Sequence, residues 1–156
     1  MTQSYIGVPF LREATPFEYL ARLRLFNLTF RDFIEVEAVI DEPGREAIII
    51  SQEFINGNAA TAEEVEAFMQ QREFAPVPGV AAGRRNSMSY FRRRDQLAVF
   101  DTHGENFLVS GQRMIPIDAL ITYADVDLSR FLAMPEETRL AEVGVLISPI
   151  PAGSVL

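Results

Sequence analysis

The first run of regularly spaced apolar residues opens at Thr15-Pro16-Phe17-Glu18. Threonine before the helix, proline at its first position and glutamate at its third form a capping box, with the proline where its missing N–H costs nothing. Phe17, Leu20, Leu23 and Leu28 then share one side, which predicts a helix over about 16–28 with that stripe facing inward. From Phe33 to Ile40 the period changes to two. Ile34, Val36, Ala38 and Ile40 alternate with Glu35, Glu37 and Val39, the pattern of a half-buried strand. Asp41-Glu42-Pro43-Gly44 reads as a turn. Ala47-Ile48-Ile49-Ile50 follows as a more buried strand, and the two predict an antiparallel hairpin.

Asn56-Gly57-Asn58 closes that segment, and a second capping box, Thr61-Ala62-Glu63-Glu64, opens a helix expected at about 62–72 with Val65, Phe68 and Met69 inward. Residues 76–89 hold Pro76, Pro78, Gly79 and Gly83 among small side chains and form the segment expected to be most mobile. Tyr90-Phe91 and Leu97–Phe100 read as short strands. Phe107–Val109 and Met114–Ile117 form a second hairpin around Ser110-Gly111-Gln112, and two short helices are expected near 127–133 and 135–142. Phenylalanines 10, 17, 26, 30, 33, 54, 68 and 74 are read as core. Helices mixed with hairpins predict an α+β fold, and the 156 residues suffice for a single domain.

Composition narrows the chemistry. With no cysteine, disulfides and thiolate sites are impossible, which suits a cytoplasmic protein. No apolar stretch reaches the roughly 20 residues of a membrane span, and the first residues lack the pattern of a signal peptide. A net charge of −8 disfavours nucleic acid as a partner. All 14 basic residues are arginine, so this chain supplies no Schiff-base lysine, lysine base or phosphate-loop lysine. His103 is the only histidine.

Between the segments 97–100 and 107–109 lies a six-residue loop, Asp101-Thr102-His103-Gly104-Glu105-Asn106, and the second hairpin returns the chain to Asp118. Short loops at strand ends are where rigid scaffolds present reactive side chains. Aspartate and asparagine oxygens are hard ligands suited to Mg²⁺, which takes its remaining ligands from phosphate and water. A further aspartate suits a base that accepts a hydroxyl proton during phosphoryl transfer.

Histidine stands two residues after Asp101, asparagine five after it, and Asp118 twelve beyond Asn106. This spacing resembles the catalytic loop of the aminoglycoside-phosphotransferase branch of the protein-kinase-like fold. More narrowly, Pro16-Phe17-Glu18-Tyr19-Leu20, Ile50-Ser51-Gln52-Glu53-Phe54-Ile55 and Gly104-Glu105-Asn106-Phe107-Leu108-Val109 resemble the kinase-like domains of polyvalent proteins carried by phages and conjugative elements. The resemblance covers about 15–123. It implies that Asp101 is the catalytic base, that Asn106 and Asp118 are ligands of Mg²⁺ brought with ATP, and that His103 braces the loop. Gln52, Glu53, Phe54 and Ile55 would be the hinge that meets the adenine. Glu18 would sit where such helices supply a glutamate to the phosphate lysine, although its capping role accounts for it fully. The whole chain would be one reduced kinase-like domain, with 15–58 the end of the small lobe and hinge and 59–156 a reduced large lobe.

The departures are equally specific. Only Ser4-Tyr5-Ile6-Gly7 stands where a glycine-rich loop belongs, the lysine is missing, and 38 residues follow Asp118. Two functions therefore stay open: a minimal phosphotransferase domain binding ATP and Mg²⁺, or a degenerate, non-catalytic interaction module with a kinase-derived fold. An incomplete small lobe would leave a strand edge for a homodimer or a partner chain to cover. Arg84, Arg85, Arg92, Arg93 and Arg94 read first as a solvated face and second as a phosphate or acidic-partner site.

Overall fold

A computed structural model describes residues 2–5, 8–11, 14–82 and 87–147. In chain order they form strands β1 (Thr2–Tyr5) and β2 (Val8–Leu11), helix α1 (Pro16–Phe30), strands β3 (Glu35–Ile40), β4 (Ala47–Ser51) and β5 (Asn58–Ala59), and helix α2 (Ala62–Gln70). Strands β6 (Ala75–Pro76), β7 (Tyr90–Arg92) and β8 (Leu97–Phe100), a 3₁₀ turn at Gly104–Asn106, strands β9 (Phe107–Ser110), β10 (Arg113–Pro116) and β11 (Leu120–Tyr123), and helices α3 (Val126–Ala133) and α4 (Glu136–Ile147) complete the order.

The organising element is a four-stranded antiparallel sheet, ordered β11-β8-β7-β6. All four residues of β8 are buried, because the sheet is covered on both faces. Leu97 and Val99 point to one face with Tyr90 and Ile121, where they meet Leu25, Phe26 and Phe30 of α1 and Val65, Phe68 and Met69 of α2. Ala98 and Phe100 point to the other with Phe91, against Leu128, Phe131 and Leu132 of α3. Two-sided burial makes a strand a continuous apolar run, which is how Leu97–Phe100 reads. A relay of rings, Phe26 to Phe30 at 5.0 Å, Phe30 to Phe68 at 6.1 Å and Phe68 to Phe107 at 5.9 Å, carries the core from α1 through α2 to β9. It seats the β9–β10 hairpin that follows the Asp101 loop.

Both expected capping boxes form. Thr15 and Glu18 cap α1, and Thr61 and Glu64 cap α2. Helix α1 runs to Phe30 rather than ending at 28, and its inward face is not the expected one. Phe17 is 80% exposed and Leu28 69%, while Leu23, Leu25, Phe26 and Phe30 are buried. Phe17 lies in the first turn, beside the cap, and the α1 residues in the core shared with the sheet begin at Leu25. Helix α2 ends at Gln70, two residues short of expectation, with its three inward residues as read.

The first hairpin forms as β3–β4 but with a different surface. Neither strand is half-buried, and a bulge between Val36 and Ala38 breaks the alternation. Val36, Val39, Ile49 and Ile50 are exposed, because among the described residues nothing is stacked on either face. Phe33 and Phe54 are exposed as well, so three of the phenylalanines read as core are not; Phe26, Phe30, Phe68 and Phe74 are. The side chain of Phe10 lies outside the described residues. The N-terminal segment pairs as β1–β2 and lies against α3, apart from the β3–β4 ribbon. Of the segment 76–89, Gly83–Asn86 with Arg84 and Arg85 lies outside the described residues. The rest is fixed: the Ser89 hydroxyl donates to the Val80 carbonyl at 2.7 Å and the Val77 N–H to the Ser89 carbonyl at 2.8 Å.

The carboxamide of Asn27 joins α1 to the start of β3. It donates to the Ile34 carbonyl at 2.8 Å and accepts from the Ile34 N–H at 3.0 Å, satisfying both groups of one partly buried peptide position. Asn27→Leu removes both bonds at once. We expect a loss of about 2 kcal/mol in unfolding free energy, read as a lower urea midpoint with unchanged slope; a midpoint equal to wild type would show that the clamp contributes nothing.

Candidate functional site

The site begins where β8 ends. Phe100 is fully buried, and at Asp101 the chain turns out of the sheet with φ = 54°, in the left-handed region. Aspartate is among the few side chains that tolerate this conformation, since its short polar group can bond locally. The turn is bolted down on both sides. The Asp101 N–H donates to the Ala82 carbonyl at 3.1 Å, and the Thr102 hydroxyl donates to the Met88 carbonyl at 2.6 Å.

Gly104 then starts the 3₁₀ turn against β5. A Cβ added there would lie 1.9 Å from the Ala60 carbonyl oxygen, so only glycine fits. The contact is cemented by the Ala60 N–H, which donates to the carbonyls of Gly104 at 3.2 Å and Phe107 at 2.9 Å. The backbone of Gly104 is not left-handed. Its requirement is a close approach of two chain segments, which no local pattern announces, and the sequence reading passed over it.

Asn106 closes the loop. Its side-chain Nδ2 donates to the Asp101 backbone carbonyl at 2.8 Å, to Asp101 Oδ2 at 3.3 Å and to the Asp118 carbonyl at 3.1 Å. The Ile117 N–H donates to the Asn106 carbonyl at 2.8 Å. The expected return of Asp118 by the hairpin therefore occurs, with Phe107 opposite Pro116 in register. Asp101, Asn106 and Asp118 meet at one place. With Nδ2 spent on three acceptors, Oδ1 is the Asn106 atom left for a cation.

His103 lies beside this cluster. Its Nε2 is 3.6 Å from Asp101 Oδ1, too long for a hydrogen bond, and its buried Nδ1 finds no hydrogen-bond partner among the described residues. Its backbone does more of the bracing: the His103 carbonyl accepts from the Asn106 N–H at 2.9 Å.

Asp118 is exposed as a residue, yet enough protein surrounds its carboxyl to matter. Partial desolvation pushes its pKa above the ordinary carboxylate value. Arg22 of α1 pulls it back down, the charge of Asp101 adds to the rise, and His103 opposes it. Among the described residues no three acidic or histidine side chains converge on a metal position. The donor set is thus two carboxylates and an amide oxygen, too sparse to cage an ion and suited to Mg²⁺ that arrives with phosphate oxygens of its own.

The expected hinge residues follow β4. Gln52 donates from Nε2 to the Asp32 carboxylate at 2.5 Å. Glu53, Phe54 and Ile55 line a cavity of about 900 Å³ together with Phe33, Phe68 and the β9–β10 hairpin. Asp101, Asn106 and Asp118 are not among its lining residues. The lining runs along the hairpin from its turn, Gly111-Gln112, to Pro116, which pairs with Phe107 next to Asn106.

An acidic loop after a doubly buried strand, tied by asparagine to a second aspartate across a hairpin, is the layout of a protein-kinase-like domain. A family model described as the serine/threonine/tyrosine kinase found in polyvalent proteins matches residues 10–125, and the chain belongs to that family. The match encloses α1, the 52–55 segment and the whole 101–118 cluster. Neither the curated proteins nor the solved structures yielded a match.

Two stability predictions follow from this geometry. Gly104→Ala drives a methyl group into a backbone oxygen, so we expect a loss of about 3 kcal/mol or failure to fold; wild-type thermal stability would show that the two segments can part freely. For Asp118, the folded state raises the carboxyl pKa, so ionisation there costs stability, and the cost vanishes below the unfolded value of about 3.9. Asp118→Asn should therefore raise Tm at pH 7 without ligand, with the gain shrinking toward pH 3. A lower Tm at pH 7 would contradict the desolvation.

Proposed function

We propose that this kinase-like domain binds ATP with Mg²⁺ at the Asp101–Asn106–Asp118 cluster and uses Asp101 as the base in phosphoryl transfer. The observation that carries this reading is the Asn106 side chain. One amide group holds the backbone carbonyls of both aspartates, so two carboxylates are kept close although their mutual repulsion opposes it. A fold gains nothing in stability from that pairing, and unfavourable charge placement of this kind marks functional sites.

Asp118 and the free Oδ1 of Asn106 would hold the ion. Bound with ATP, Mg²⁺ supplies charge neutralisation on the β- and γ-phosphates. Asp101, fixed by its left-handed turn, would orient the acceptor hydroxyl and take its proton as the oxygen bonds to the γ-phosphorus and ADP leaves. The residues 52–55 would receive the base. The reading requires that binding of the ion depend on nucleotide, since the protein alone offers too few ligands.

Thermal shift tests the binding half. ATP with Mg²⁺ at a hundredfold excess over its Kd should stabilise the fold by about 2.7 kcal/mol. Asp118→Asn should lose the Mg²⁺-dependent part of that increment. No shift at millimolar nucleotide would overturn the reading, and a full increment in the variant would overturn the metal assignment. For the chemistry, Asp101→Asn preserves the tolerance for φ = 54° better than alanine, and should cut any phosphoryl transfer at least about a hundredfold. Binding without detectable transfer in the wild-type protein would identify a nucleotide-binding interaction module instead.

A further inference from the structure

Asp101, Asn106 and Asp118 are themselves anionic or neutral, and the chain holds no lysine to pair with a phosphate. The arginines of the described residues are mostly committed elsewhere. Arg92 is bidentate to Asp95, and Arg94 pairs with Glu73. Arg139 is spent on backbone carbonyls at Pro78, Leu132 and Met134, and Arg45 pairs with Glu42 in a hairpin turn. Arg31, Arg72 and Arg113 line the cavity of the 53–56 segment.

Arg22 is different. It lies on α1 one turn before Phe26 and two turns before Phe30, on the stripe that packs over the sheet. Phe26 and Phe30 share their core with Ile121 of β11, and α1 lies along β11, the strand that starts two residues after Asp118. The C-terminal half of α1, from Leu25 to Phe30, shares a cavity with Leu97 and Tyr123 at the far end of β11. The preceding turn therefore carries the half-buried Arg22 toward the Asp118 end, where its charge reaches that carboxyl. Among the described residues it makes no ion pair. Its guanidinium rests 5.1 Å from the centroid of the Tyr19 ring, a contact weak enough at a partly exposed site to be exchanged.

We propose that Arg22 is the phosphate-binding cation of this site, its guanidinium taking the nucleotide polyphosphate from the α1 side while Asp118 and Asn106 hold the metal side. The proposal rests on the nucleotide-binding reading above. The planar guanidinium suits the task, since it presents two parallel N–H donors to a phosphate and stays charged beside a desolvated carboxylate. A supporting cation on a helix rather than on a strand also reconciles a lysine-free sequence with a retained acidic cluster.

The test is calorimetric titration of the full chain with ATP and Mg²⁺, and separately with adenosine, for wild type, Arg22→Gln and Arg22→Lys. Arg22→Gln should weaken ATP binding about tenfold to hundredfold and leave adenosine binding unchanged, because only the polyphosphate meets the guanidinium. Arg22→Lys should restore part of the loss. Far-UV circular dichroism and ligand-free Tm establish that each variant is folded, and if Arg22→Gln is not, the ATP-to-adenosine ratio of Arg22→Lys against wild type carries the test. Wild-type ATP binding that survives in Arg22→Gln, or an equal loss of ATP and adenosine, overturns the role of Arg22 alone. No ATP binding by the wild-type protein overturns the nucleotide reading and this proposal with it.

Discussion

One side-chain amide holds the candidate site together. Asn106 donates to Asp101 and to Asp118, which lie just past the last rung of the β8–β11 ladder, Phe100 opposite Leu120. It adds a side-chain tie to the Ile117–Asn106 backbone bond and to the flanking β8–β11 and β9–β10 ladders. Buried amides earn such conservative geometry because each unpaired acceptor left behind would carry a desolvation cost. The clamp also fixes which atom is spare. With Nδ2 saturated, Oδ1 can serve a cation without competition from the backbone.

The clamp works because its supports are rigid. β8 is buried on both faces, so its C-terminal end cannot drift. The ring relay from Phe26 to Phe107 sets β9 from the opposite side. Between them the chain has six residues in which to leave one strand and enter the next, and it does so by combining a left-handed aspartate with a glycine pressed against Ala60. Both features are locally unfavourable, and both are imposed by the packed elements around them.

This explains what could be read from the sequence and what could not. The capping boxes of α1 and α2, the second hairpin and the acidic loop are local features, written in residues within a few positions of one another, and each was legible. The identity of the α1 core face was not. Phe17 has the spacing of a core residue, but whether a helix turn lies over the sheet or beyond its edge depends on where the sheet ends. The same applies to β3 and β4, whose apolar residues have a strand's alternation with no layer stacked on them. Short strands such as β5 and β11 exist because partners on β9 and β8 are in reach, and Gly104 matters because Ala60 is close. Periodicity reports what a segment could bury; the rest of the chain decides what covers it.

Charge completes the picture. Partial desolvation makes ionisation of Asp118 harder, the charge of Asp101 adds to the difficulty, and Arg22 of α1 and His103 relieve it. In a protein already carrying a net charge of −8 this arrangement is costly to the folded state. A divalent ion alone would relieve the carboxylates but find few ligands, and a polyphosphate alone would meet two negative groups. On the proposed reading, the pair together satisfies every group, with oxygen ligands for the ion on one side and Arg22 for phosphate on the other. On that reading the charges favour joint over separate binding, which is the behaviour a metal–nucleotide site requires.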